Sequence, residues 1–145
     1  MDTTTILLVE DNSDDVAFTL RVLKKNKIGN KVFVARDGVQ ALDFLFCRNT
    51  FANRDPHDLP QLTLLDINLP KINGMEVLRR LRADERTCQL PIVIFSSSNE
   101  ERDLIEGYKS GVNSYVRKPV GFNQFEESIR QLGKYWLQLN EVPPS

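Results

Sequence analysis

Groups able to do chemistry follow four of the chain's apolar runs. Glu10 and Asp11 come after Ile6-Leu7-Leu8-Val9, Asp66 after Leu62-Thr63-Leu64-Leu65, Ser96 after Ile92-Val93-Ile94-Phe95, and Lys118 after the run at 112–117. An isolated Asp at a strand end is most often only a turn or capping residue. Four strand ends bearing complementary groups are a different observation. Were Glu10, Asp11 and Asp66 within ~4 Å of one another, each ionised pair would cost about 4 kcal/mol at an effective dielectric near 20. Something positive then has to join them. All-oxygen ligation with no His or Cys at hand suits a hard divalent cation, magnesium rather than zinc. Mg2+ keeps water positions that a phosphoryl group can take, and a carboxylate beside it can attack a phosphoryl donor to form an acyl phosphate. Asp66 is the candidate for that reactive carboxylate, with Lys118 and the Ser96 hydroxyl holding the remaining phosphate oxygens.

The elements that must position these groups are legible from periodicity. Five short apolar runs, each about the length of a buried strand, alternate with longer amphipathic segments. Val16, Leu20 and Leu23 predict a first helix over 14–26, with Asn12 or Ser13 as N-cap and a turn from Lys27 to Asn30. Val32 to Ala35 reads as the second strand, and Ala41, Leu42, Leu45 and Phe46 as the stripe of a second helix. Residues 47–60 carry no period and two prolines, which makes them a surface decoration or a partner contact. After the Asp66 loop, punctuated by Pro70 and Gly74, Met75, Leu78 and Leu81 build a third helix that stops before Cys88. Pro91 opens the fourth strand, and Ser97 and Ser98 are loop and N-cap residues. A weakly apolar fourth helix spans Glu100 to Ser110, with Leu104 and Tyr108 one turn apart and Gly111 closing it. The fifth strand covers 112–117, and a last helix from Asn123 to Leu139 aligns Phe125, Ile129, Leu132, Trp136 and Leu139. The alternation predicts an α/β fold, a (βα)5 doubly wound five-stranded parallel sheet, whose ligands bind beyond the carboxyl ends of the strands.

Composition sets the outer bounds. A chain of 145 residues fits one domain with a core of its own, and its net charge of −1 lacks the footprint of a nucleic-acid binder. Cys47 and Cys88 have no CxxC spacing, and the single histidine, His57, lies in a loop, so the thiols read as reduced and structural. No apolar run approaches the ~20 residues that span a bilayer, and no basic targeting segment opens the chain. A soluble cytoplasmic protein is expected.

Leu-Leu-Val-Glu-Asp-Asn at 7–12, Leu-Leu-Asp-Ile-Asn-Leu-Pro at 64–70 with Asn73-Gly74, Ile-Val-Ile-Phe-Ser-Ser at 92–97 and Tyr-Val-Arg-Lys-Pro at 115–119 together resemble the receiver domain of two-component response regulators. The resemblance covers nearly the whole chain. It implies the flavodoxin-like strand order 2-1-3-4-5, with Asp66 as phosphoacceptor and Glu10, Asp11, Asp66 and the Asn68 backbone carbonyl as Mg2+ ligands. It also implies Lys118 as the phosphate-binding ammonium, Ser96 as switch hydroxyl and Tyr115 as the aromatic whose rotation reports phosphorylation. Family members typically have a cis bond before the proline at the position of Pro119. A sensor histidine kinase is the implied donor, and a histidine phosphotransfer protein is a further partner in relays. Few residues follow the last helix, so a single receiver domain over 1–145 with no output domain is expected. The 47–60 loop and the segment Gly-Lys-Tyr-Trp-Leu-Gln-Leu at 133–139 resemble the single-domain regulators that partner bacterial phytochromes.

Signalling through the face of the fourth helix, fifth strand and fifth helix follows from the same resemblance. Phe122, Tyr135 and Trp136 exceed what one buried stripe needs, which points to a homodimer through that face unless Trp136 packs into its own core. Two rival functions remain at this stage. One is a pseudo-receiver that binds partners without phosphorylation. The other is a metal-dependent phosphohydrolase with Asp66 as nucleophile. Haloacid-dehalogenase-type enzymes usually place a second Asp two residues later, where this chain has Asn68.

Overall fold

The computed structural model describes residues 5–28 and 31–144, so the Gly29-Asn30 half of the expected first turn lies outside the described residues. The apolar runs form β1 (Thr5–Val9), β2 (Lys31–Ala35), β3 (Leu62–Leu65), β4 (Ile92–Ser96) and β5 (Ser114–Arg117). All pairings are parallel, in the order β2-β1-β3-β4-β5 that was expected. Strands covered on both faces need apolar side chains at successive positions, which is why β1 and β4 carry unbroken runs. Leu7, Val9, Ile92 and Ile94 point into the layer of α2 (Gly38–Leu45) and α3 (Gly74–Ala83). Ile6, Leu8, Leu64, Val93 and Phe95 point into that of α1 (Ser13–Lys25) and α5 (Phe122–Lys134).

Asn12, Asp37 and Asn73 cap α1, α2 and α3 by accepting from the backbone N–H of Asp15, Gln40 and Glu76. These caps fix where the loops carrying the polar groups end. The helix α4 (Glu101–Lys109) departs from its predicted stripe, because Leu104 and Tyr108 are 40% and 52% exposed and only Gly107 is buried. The bare glycine backbone is what lets α4 approach the sheet. A Cβ there would stand 3.0 Å from Ile94 Cδ1 and 3.3 Å from the Tyr115 ring.

Two boundaries move for identifiable reasons. The strand β5 starts at Ser114, since the Asn113 side chain accepts from Ile92 N–H (2.7 Å) and occupies the strand's edge. The last helix runs regularly only to Lys134, then widens into a π turn over Tyr135–Leu139, closed by Asn140 N–H donating to Tyr135 O (2.7 Å). The wider turn sets Trp136 and Leu137 half-buried against the α1/α5 core and turns Tyr135 and Leu139 outward. The 47–60 segment holds a short 3-10 turn at Asn49–Phe51, and Phe51 packs edge-on against Phe33 and Phe44. Arg54 lies 3.8 Å over the Phe44 ring and donates to the carbonyls of Phe44 and Asp58.

Phe122, which the sequence assigns to the signalling face, touches Phe18 of α1 with ring centroids 4.2 Å apart and stays 61% exposed. The Lys118–Pro119 bond, expected to be cis, is trans like every other bond among the described residues, the form a prolyl amide favours by default.

Candidate functional site

Backbone bonds carry the sheet one residue past its strands at three places. Glu10 N–H donates to Ala35 O (2.9 Å), Asp66 N–H to Val9 O (3.1 Å), and Lys118 N–H to Ser96 O (2.8 Å). Each reactive side chain therefore leaves a backbone that the neighbouring strand already holds. Glu10 and Asp66 are buried, Asp11 is exposed, and one carboxylate oxygen from each lies within 4.8 Å of the others.

The Lys118 ammonium closes this group from the far side of the sheet edge. It donates to Glu10 Oε1 (2.5 Å), Asp15 Oδ2 (2.9 Å) and Asp66 Oδ2 (3.3 Å), and its side chain is 7% exposed. Glu10 Oε2 also accepts from Asn12 N–H (3.1 Å), and Asp66 Oδ1 from Ile67 N–H (2.7 Å). Burial pushes the Glu10 carboxyl up to about 7, against the opposing pull of Lys118, with the Asp66 charge adding to the rise. Burial alone would depress Lys118, but its bonds to Glu10 and Asp15 and the charge of Asp66 outweigh it and hold the ammonium above its ordinary range. Three carboxylates thus share one cation.

The loop after Asp66 is shaped by Gly74. Its N–H donates to Ile67 O (2.8 Å), and a Cβ on it would fall 2.1 Å from Asp66 O. Asn68 is exposed on this loop, and among the described residues its carbonyl accepts no backbone bond, whereas those of Ile67 and Pro70 are taken. Glu10, Asp11 and Asp66 form an all-oxygen donor set with an excess of negative charge, which fits a hard divalent cation.

Ser96 is fully buried at the end of β4, and its hydroxyl accepts from Ser98 N–H (3.2 Å) rather than meeting the acids. The N-cap of α4 is Glu100 rather than Ser98, whose hydroxyl accepts from Glu100 N–H (3.3 Å) and donates to Asp103 Oδ2 (2.5 Å) of α4. The Tyr115 ring packs beside Gly107, and its hydroxyl is buried with no hydrogen-bond partner among the described residues. Burial raises its pKa, Ser98 stands near enough to oppose that rise, and the Asp103 charge adds to it. Asp15 is the site residue that the sequence reading passes over.

A model of the response regulator receiver domain matches residues 6–130. The chain belongs to the response regulator receiver family. Among curated relatives, the probable methanogenesis regulatory protein FilR2 of Methanothrix harundinacea is 34% identical over 95% of this chain and 86% of its own length. Response regulator Rcp1 of Synechocystis is 33% identical over 95% and 92%. The Mn2+-bound form of Rcp1 superposes with a TM-score of 0.90 at 32% identity, over 97% of this chain and 99% of that one. The phosphorylated cyanobacterial phytochrome response regulator RcpA gives 0.92 at 31%, over 99% and 100%. The bacteriophytochrome response regulator RtBRR gives 0.77 at 45%, over 99% and 86%. Receiver domains act as phosphoacceptor switches and bind a divalent metal in an acidic pocket, which here corresponds to the Glu10, Asp11 and Asp66 cluster.

Proposed function

We propose that this protein accepts a phosphoryl group from the phosphohistidine of a histidine kinase onto Asp66, in a Mg2+-dependent reaction, and acts as a stand-alone switch. The observation that carries this reading is the buried Asp66 carboxylate bonded to an ammonium that is itself enclosed by acids. An Asp66 oxygen bonds to phosphorus while the phosphorus–nitrogen bond breaks, its electron pair returning to the imidazole of the donor. Lys118 then offers charge to the phosphoryl oxygens, and Ile67 N–H orients the carboxylate. Bound at Glu10, Asp11, Asp66 and the Asn68 carbonyl, Mg2+ would neutralise the charge that gathers on the transferred group. A phytochrome-type kinase as donor is supported by the resemblance to Rcp1, RcpA and RtBRR, and a stand-alone form by the near-complete mutual coverage of those chains.

Phosphoryl transfer from a panel of autophosphorylated histidine kinases, bacterial phytochromes included, tests the reading. Wild type should take up acid-stable, base-labile label in Mg2+, and Asp66→Asn should take up none. Undiminished labelling of the variant would remove Asp66 from its role, and failure of wild type with every kinase and with acetyl phosphate would favour a phosphorylation-independent interaction module.

Phosphorylation would draw the Ser96 hydroxyl toward the new charge and let Tyr115 and α4 repack, with couplings of this kind commonly worth ~1–3 kcal/mol. Leu104, Ile105 and Tyr108 of α4 and Tyr135 after α5 are exposed apolar groups that a twofold contact would cover. We expect a homodimer by light scattering, and a monomer at tens of micromolar in both phosphorylation states would refute it.

A further inference from the structure

The three protons of the Lys118 ammonium are all committed, to Glu10, Asp15 and Asp66, and at 7% exposure the side chain has little water to turn to. A phosphoryl oxygen on Asp66 can bond this ammonium strongly only if a carboxylate gives way. Glu10 is tied to Asn12 N–H and belongs to the metal-binding acids, and Asp66 carries the phosphoryl group itself. Asp15 is the remaining partner. It stands in the first turn of α1 with its backbone N–H capped by Asn12, and its side chain is 31% exposed, so it can exchange its bond to Lys118 for water. It also lines, with Asn12, Ser97, Arg117 and Lys118, an open cleft of about 890 Å³, so its carboxylate is reached by solvent from a side that Asp66 does not line.

We propose that Asp15 is a positioning residue that holds Lys118 in the resting site and competes with phosphoryl oxygens for its ammonium, thereby weakening capture of anionic phosphoryl donors. Resting on the phosphoacceptor reading, this assigns Asp15 a role separate from metal ligation. Asp15 and Asp66 face each other within about 6 Å across the shared ammonium. A unit charge at that distance changes the affinity for another by a factor of about 3 even at the dielectric of water, and by more in a buried site. Removing the Asp15 charge acts in one direction on both counts, since it frees Lys118 and relieves repulsion of the donor.

Acetyl phosphate is the donor for the test, with saturating Mg2+. In this transfer an Asp66 oxygen bonds to phosphorus as the phosphorus–oxygen bond to acetate breaks, the electron pair leaving with the acetate. Asp15→Asn keeps the shape and removes the charge, and it should lower the half-saturating acetyl phosphate concentration at least threefold while the maximal rate changes less than twofold. The equilibrium affinity for beryllofluoride, an anionic phosphoryl mimic that involves no turnover, should tighten by a similar factor. Asp15→Glu should restore wild-type values for both. An unchanged or raised half-saturating concentration in an Asp15→Asn protein that melts as wild type does would overturn the proposal, as would an Asp15→Glu protein that behaves like Asp15→Asn. If wild type takes no phosphoryl group at all, the phosphoacceptor reading fails and this one falls with it, whereas a labelled wild type that Asp15→Asn matches in every constant sinks this inference alone.

Discussion

At the scale of single residues, Lys118 carries the greatest electrostatic burden in the molecule. Replacing it with Ala leaves Glu10 and Asp66 buried without a cation, and truncating one partner of a buried ion pair typically costs about 3–5 kcal/mol. Metal-free Lys118→Ala should lose an amount of this order in urea denaturation at pH 8. The pH dependence has a definite sign. The Glu10 carboxyl is raised in the fold to about 7, so its favourable contribution is complete in acid and is lost as pH rises through about 7. Without the Lys118 charge that rise is larger, so the Lys118→Ala deficit should be smaller at pH 5.5 than at pH 8. Equal deficits at the two pH values would mean that Glu10 is not the group responsible. Glu10, Asp11, Asp66 and Lys118 were legible in the sequence because strand ends in a parallel sheet converge by topology. Asp15 was not, since an acid in the first turn of a helix is what the helix dipole favours in any case. The direction of the Ser96 hydroxyl was equally hidden, because it depends on where the Ser98 backbone turns.

At the scale of elements, the loop from Asp66 to α3 is fixed by contact rather than by propensity. A methyl group at Gly74 would meet the Asp66 carbonyl at 2.1 Å, a backbone atom that cannot swing aside. Gly74→Ala should therefore destabilise the fold by about 1–3 kcal/mol, the usual cost of overpacking, and should also slow acetyl phosphate labelling by displacing Asp66. Thermal unfolding and the labelling rate are the measurements, and a variant normal in both would contradict the close approach. Strands and the first three helices were readable because periodicity and Asn or Asp caps agree there. The attachment of α4 was not, since it depends on a side chain that is missing, at Gly107, while the apolar Leu104 and Tyr108 face solvent. Nor did the spacing from Phe125 to Leu139 reveal the π turn, which displaces Leu139 from the stripe it would join in a regular helix. The 47–60 loop carries no period because stacking of Arg54 on Phe44, not an amphipathic face, orders it.

At the scale of the whole molecule, the strand order follows from right-handed crossovers, and with it the convergence of the acids at one sheet edge. The amide bonds that Glu10, Asp66 and Lys118 make to neighbouring strands have a consequence for how the protein breathes. Such amides open only when the sheet itself opens, so native-state hydrogen exchange should place these three among the most protected in the chain. The amides of α4, anchored by one buried glycine, should exchange through a far cheaper local opening. Comparable protection in the two places would refute this ordering. The chemistry would then be fixed to the part of the protein that unfolds last, while its message leaves through a helix that can come loose on its own.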